Sequence, residues 1–153
     1  MNVTFEQPTA ADAQALVNVQ IRAFHDDARL YPGVEIGGPP GYDSLDEMIK
    51  TLASYHCHKI VCDGLIVGGL VVFDCGHGHF HLDRIFIDPD YHNRGIGTQA
   101  MEFIEATYPA SKWSLDTPIW SVRNHHFYEK LGFVRIKEVP ADGITLLYYE
   151  KQL

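Results

Sequence analysis

The chain has 153 residues, 46% of them hydrophobic, and its twelve Lys and Arg against twenty Asp and Glu give a formal net charge of −8. That length suits one ordinary domain, 1–153, with a real core. The acid-rich balance argues against nonspecific nucleic-acid binding and favours cationic partners such as amines. No stretch approaches the ~20 apolar residues of a membrane span, and Met1 to Pro8 lacks the basic start and apolar run of a secretory signal, so a cytoplasmic location is expected. Cys57, Cys62 and Cys75, odd in number and without a secretory cue, read as free thiols.

Val3 to Glu6 reads as a short opening strand. Thr9-Ala10-Ala11-Asp12 has the form of a capping box, and the helix it opens, expected to end near Asp27, carries Ala13, Leu16, Val17, Ile21 and Phe24 on one face. Residues 31–42, rich in Pro and Gly, mark a loop. Ser44-Leu45-Asp46-Glu47 is a second capping signature, followed by the apolar stripe Leu45, Met48, Ile49 and Leu52. Lys59 to Cys62, Leu65 to Cys75 and His79 to Ile87 read as successive strands joined by Asp63-Gly64 and Gly76-His77-Gly78, an antiparallel meander. A third helix buries Ile96, Ala100, Phe103 and Ile104. A strand from Lys112 to Asp116, a short helix from Asn124 to Leu131 stopped by Gly132, and a strand pair, Val134 to Glu138 with Ile144 to Lys151, complete the chain. This order predicts an α/β fold of the α+β type: a mixed, largely antiparallel sheet of about six to seven strands with helices on both faces.

The most informative stretch is Asp88-Pro89-Asp90-Tyr91-His92-Asn93-Arg94-Gly95-Ile96-Gly97-Thr98, which leaves an apolar strand and enters an amphipathic helix through two closely spaced glycines. Gly95 and Gly97 let main-chain amides approach a ligand without Cβ interference, and unpaired N–H groups at a helix start attract anions. Arg94 adds positive charge. Phosphate is the expected ligand, although a plain strand-to-helix connection would show the same glycine pair.

Leu82-Asp83-Arg84-Ile85-Phe86-Ile87 with Asp88-Pro89 resembles the fourth strand of the GNAT superfamily of N-acetyltransferases, and His92 to Gly97 resembles its coenzyme A loop, with His92 where the family usually has Gln or Arg. Asn124-His125-His126-Phe127-Tyr128-Glu129-Lys130-Leu131-Gly132-Phe133 is similar to its late helix. The resemblance, which spans essentially the whole chain, implies strands four and five splayed at the cofactor site and acetyl-CoA as the acyl donor. It places the pantetheine arm along Ile85, Phe86 and Ile87 and the pyrophosphate on His92, Asn93, Arg94, Gly95, Ile96, Gly97 and Thr98. It also allows a homodimer, dimers being common in the superfamily.

Acyl transfer to an amine has three needs. An alkylamine of pKa ~10.4 must lose a proton, the thioester carbonyl must be polarised, and the departing thiolate benefits from a proton. By resemblance Tyr128 protonates the thiolate; a plain packed tyrosine is the alternative. Period-2 alternation puts His81, Asp83, Ile85 and Ile87 on one strand face. The resemblance implies an acidic base on this strand, which makes Asp83 the candidate and His81 the runner-up; pairing of Asp83 with Arg84 is the structural reading. A backbone N–H near Ile87 would polarise the carbonyl. Asn124 is either a cofactor ligand or a helix N-cap, since the family's asparagine stands seven residues before the tyrosine, where this chain has Ser121.

The loop Ile36 to Ser44, with Tyr42, Asp43 and nearby Glu35, is expected either to select the acceptor or to cross between helices, with Asp43 or Ser44 capping the second. His77, His79 and His81 alternate, but lack a further ligand at diagnostic spacing, so no metal is expected. The function expected is an acetyl-CoA-dependent N-acetyltransferase working on a primary amine through a ternary complex; the alternative is a noncatalytic acyl-CoA binding module.

Overall fold

A computed structural model describes residues 1–153. The elements are β1 (Val3–Glu6), a 3-10 turn (Ala10–Asp12), α1 (Ala13–Leu30), α2 (Leu45–Ser54), β2 (His56–Cys62), β3 (Leu65–Gly76), β4 (His79–Ile87), a second 3-10 turn (Pro89–Tyr91), α3 (Ile96–Thr107), β5 (Lys112–Pro118), α4 (Val122–Lys130), β6 (Val134–Ala141) and β7 (Ile144–Gln152). The strands form one seven-stranded sheet in the order β1-β2-β3-β4-β5-β7-β6, antiparallel throughout except between β4 and β5.

Both capping signatures form. The Thr9 amide donates to Asp12 Oδ2 at 2.9 Å, and the Glu47 amide donates to Ser44 Oγ at 3.2 Å. α1, however, runs about a turn past its expected end near Asp27. Nothing from Asp27 to Leu30 breaks a helix; the first breaker is Pro32, which forces the preceding Tyr31 into an extended conformation. The late helix starts earlier than expected, at Val122, so Asn124 lies within it and Ser121 occupies the N-cap position.

The sheet separates two cores. On one face α3 and α4 bury Ile96, Ala100, Met101, Ile104 and Tyr128 against Leu70, Val72, Phe80, Leu82, Trp113 and Leu115. On the other, α1 and α2 bury Ala13, Leu16, Val17 and Met48 against Phe86. Space for Phe86 comes from β3, where a Cβ on Gly69 would overlap the phenyl ring.

β4 does not alternate evenly. Val71 and Val72 of β3 pair with Arg84 and Leu82, which leaves Asp83 as an extra residue in a bulge. The bulge reverses the parity of the strand. Ile85 and Ile87 pack towards α3 and α4 beside Phe80 and Leu82, so the expected single face of His81, Asp83, Ile85 and Ile87 is divided, with His81 on the opposite side from the isoleucines.

A second irregularity follows. The parallel seam between β4 and β5 holds only His79 to Leu82 against Lys112 to Leu115, after which β5 continues beside β7 as far as Pro118. From Asp83 to Ile87, β4 has no strand on that side.

Candidate active site

The gap exposes main-chain groups of known direction. The Asp88 amide donates to the Val67 carbonyl on β3 at 2.7 Å, and alternation then turns the N–H and C=O of Ile87 and Ile85 away from β3, towards the missing neighbour. The Ile87 carbonyl is already engaged by His92 Nε2 at 2.9 Å. His92 thereby ties the loop after β4 back onto the strand. Phe86 takes no part on this side, because the same alternation turns its main-chain groups to β3 and its ring lies in the α1/α2 core.

The loop is fixed at both ends. Buried Asp88 accepts from Arg22 Nη2 at 2.9 Å and from the Asp90 amide at 2.9 Å, anchoring the 3-10 turn to α1. Asn93 and Gly95 both adopt left-handed conformations, with φ of 61° and 77°. Gly95 is the N-cap of α3 and offers no side chain to its amides; the first helical bond runs from the Gln99 amide to the Gly95 carbonyl at 3.1 Å. The N–H groups of Ile96, Gly97 and Thr98 are therefore open at the positive end of the helix dipole, and a Cβ at Gly95 would meet nothing within 4 Å. That is an anion cradle. Arg94 lies over the Tyr91 ring, 5.0 Å from the centroid, and outside the cleft lining.

Gap and cradle open into one cleft of about 570 Å³, lined by Ile85, Ile87, His92, Asn93, Gly95 to Thr98, Asn124, Phe127, Tyr128 and Lys130. Tyr128 is 6% exposed, packed among Phe127, Phe133 and Tyr149, and its hydroxyl makes no hydrogen bond within the protein. Burial pushes its phenol well above the usual range, so it stays protonated at any physiological pH. Asn124 faces the cleft with its Nδ2 donating to Thr117 Oγ1 at 3.2 Å, whereas Ser121 is buried outside the cleft lining. Asn124 thus lies in the cleft although the family's seven-residue spacing falls on Ser121.

The cleft has a wall that the sequence analysis missed. The extra turn of α1 brings Asp27, Leu30 and Tyr31 to it, and Tyr31 Oη accepts from the Arg123 amide at 3.1 Å, joining the end of α1 to the start of α4. The i, i+3, i+4 spacing of these three residues was the available signal, hidden by ending the helix too early.

Asp83 and His81 lie outside the cleft lining. Asp83 is paired with Arg84 Nε at 2.8 Å. His81 is bonded to Ser114 Oγ at 2.7 Å and stands 3.6 Å from Asp116, whose carboxyl burial pushes above its ordinary range. His79 also meets Ser114 Oγ, at 2.6 Å, so these two histidines converge on a serine. The loop before α2 is likewise apart: Tyr42 bonds His25 at 2.7 Å and packs edge-on against Phe24, and Ser44 provides the cap.

A sheet parted beside an open helix start, with a buried tyrosine across the gap, defines an acyl-coenzyme A transferase fold. The sequence profile of the Acetyltransferase (GNAT) domain matches residues 53–135, and the chain belongs to that family of acetyltransferases. It is 37% identical over 102 residues to the YrkN protein of Bacillus subtilis (strain 168), a match covering 65% of this chain and 55% of that protein. It is 26% identical to the S-(2-succino)cysteine N-acetyltransferase of the same organism, over 93% of this chain and 91% of that one. The fold is shared with the PaiA N-acetyltransferase of Thermoplasma acidophilum, solved in complex with coenzyme A, at a TM-score of 0.78, 16% identity and full coverage of both chains.

Proposed function

We propose that this protein transfers an acetyl group from acetyl-CoA to a primary amine by direct attack within a ternary complex. The observation that carries the reading is the alignment of three features along one cleft: the open edge at Ile85 and Ile87, the uncapped amides of α3, and the Tyr128 hydroxyl. Pantetheine amides complete the unfinished ladder of β4, and the diphosphate takes the N–H groups of Ile96 to Thr98. The Ile87 N–H, directed into the gap, polarises the thioester carbonyl.

The nitrogen attacks the thioester carbon, the C–S bond breaks, and the thiolate takes the Tyr128 proton. An unperturbed phenol (~10) is a weaker acid than an alkyl thiol (~8.5), so the proton leaves Tyr128 only as the breaking C–S bond makes sulfur anionic and as the proton shed by the acylated nitrogen restores the phenol. Asp83 and His81, beyond the cleft lining, act in this reading only through water. The name of the S-(2-succino)cysteine N-acetyltransferase supports an amino-acid-like acceptor.

Incubation with acetyl-CoA and a panel of primary amines, read by mass spectrometry, tests the proposal. Acetylated products support it, whereas tight cofactor binding without any product shows a noncatalytic binding module.

A further inference from the structure

Among the residues lining the cleft, Asp27 is the sole carboxylate, and its side chain has neither a hydrogen bond nor an ion pair. Its neighbour Asp26 is held by Arg29 at 2.7 Å, and Asp88 and Asp90 are held by Arg22. Asp27 is left unpaired, half-buried, and lines the same cleft as Ile87 and Tyr128. The coenzyme, an anion, gives it no partner; the open amides of α3, Lys130 and Arg123 are the positive features suited to that anion, and Arg123, near enough to favour the Asp27 charge, forms no ion pair with it. A lone carboxylate in a cleft otherwise furnished for phosphate calls for a cation.

Resting on the acetyltransferase reading, we propose that Asp27 is the acceptor site: it binds the ammonium group of a primary alkylamine and takes the first of its two departing protons. The carboxylate receives one N–H proton, the freed lone pair attacks the thioester carbon, and the C–S bond breaks as Tyr128 protonates sulfur. The second nitrogen proton restores Tyr128, and Asp27 releases the first to solvent. The sum is R–NH3+ and acetyl-CoA giving the amide, CoA–SH and one proton.

Burial and the Asp26 charge push the Asp27 carboxyl up to about 6, with Arg123 pulling partly the other way. The other titratable groups around the cleft are His92, Lys130 and the phenols of Tyr31, Tyr91 and Tyr128. A base near 6 is mostly ionised at neutrality yet closer to the amine in proton affinity than an ordinary carboxylate.

The test compares the full-length wild type with Asp27→Asn and Asp27→Glu, following kcat/KM for the amine from about pH 5 to about pH 9 and correcting for the amine's own ionisation. Asp27→Asn is expected to lose about 100-fold or more and to lose the acidic limb near 6, with acetyl-CoA affinity by calorimetry kept, while Asp27→Glu recovers part of the rate. An Asp27→Asn enzyme of wild-type rate with the same acidic limb overturns the proposal. If the wild type binds acetyl-CoA but acetylates no amine, the acetyltransferase reading fails separately. Titration of the CoA-loaded proteins with n-propylammonium then decides Asp27: binding weakened about tenfold or more by Asp27→Asn supports the cation site, and equal binding overturns it.

Discussion

Tyr128 and Asp27 illustrate how burial shifts protonation within one cleft, alone for Tyr128 and aided by the Asp26 charge for Asp27. Burial disfavours the charged form of each, keeping Tyr128 protonated and raising the Asp27 carboxyl to about 6. Tyr128→Phe, which removes only an unbonded hydroxyl, should slow acetyl transfer by about 100-fold with little change in acetyl-CoA affinity, as steady-state kinetics with calorimetry would show. For Asp27 the stability sign follows from its raised pKa. The folded state holds the proton more tightly than the unfolded one, so ionisation destabilises the fold as pH rises from about 4 to about 6. Asp27→Asn should therefore melt higher than wild type at about pH 7 and lose that advantage below about pH 4, measured by thermal denaturation. Little of this was legible in the sequence. Tyr128 stood out because its motif surrounds it, whereas Asp27 belongs to no motif and depends on where one helix stops.

At the scale of elements the sequence was most informative where chemistry is local. The caps at Thr9 and Ser44 and the glycine turn before α3 all form as their residues demand. The β4 bulge was hidden because Asp83 carries no bulge signature; the extra residue is defined only by pairing with β3. That single misfit separated His81 from the face of Ile85 and Ile87 that alternation had given it. Gly69 is also meaningful only in three dimensions, since its missing Cβ is occupied by the Phe86 ring. Gly69→Ala should destabilise the fold by about 1–3 kcal/mol in chemical denaturation, because the ring has to leave its place in the α1/α2 core. The open edge of β4 gives another expectation. Amides of Ile85 and Ile87 should exchange hydrogen readily in the free protein and become protected when acetyl-CoA binds; unchanged exchange in the complex would refute strand addition by pantetheine.

For the whole molecule, β1 to β4 with α1 and α2 make one group and β5, β7 and β6 another, and the core under α3 and α4 runs beneath both. Their direct sheet contact is the four-pair seam from His79–Lys112 to Leu82–Leu115. Near the cleft it is supplemented by the Tyr31–Arg123 bond and by the Tyr31 ring, which lies 5.3 Å from that of Trp120. Acetyl-CoA held in this opening touches both groups and should stabilise the protein by about 2.7 kcal/mol at a hundredfold excess over its Kd. For a chain of this size that is a melting shift of about 5–10 °C, read by thermal denaturation with and without the cofactor.

So short a seam makes the sheet a wedge: past Leu82 and Leu115 its two halves share no strand pairing and are joined through the core beneath α3 and α4. The longer ladders continue on either side while the space between them widens to the far end of β4, beside Ile87. A flexible thioester arm lying in that opening would meet Ile87 on one wall and Tyr128 on the other, so the width of the wedge, fixed by packing under α3 and α4, would set how bulky an acyl group can enter.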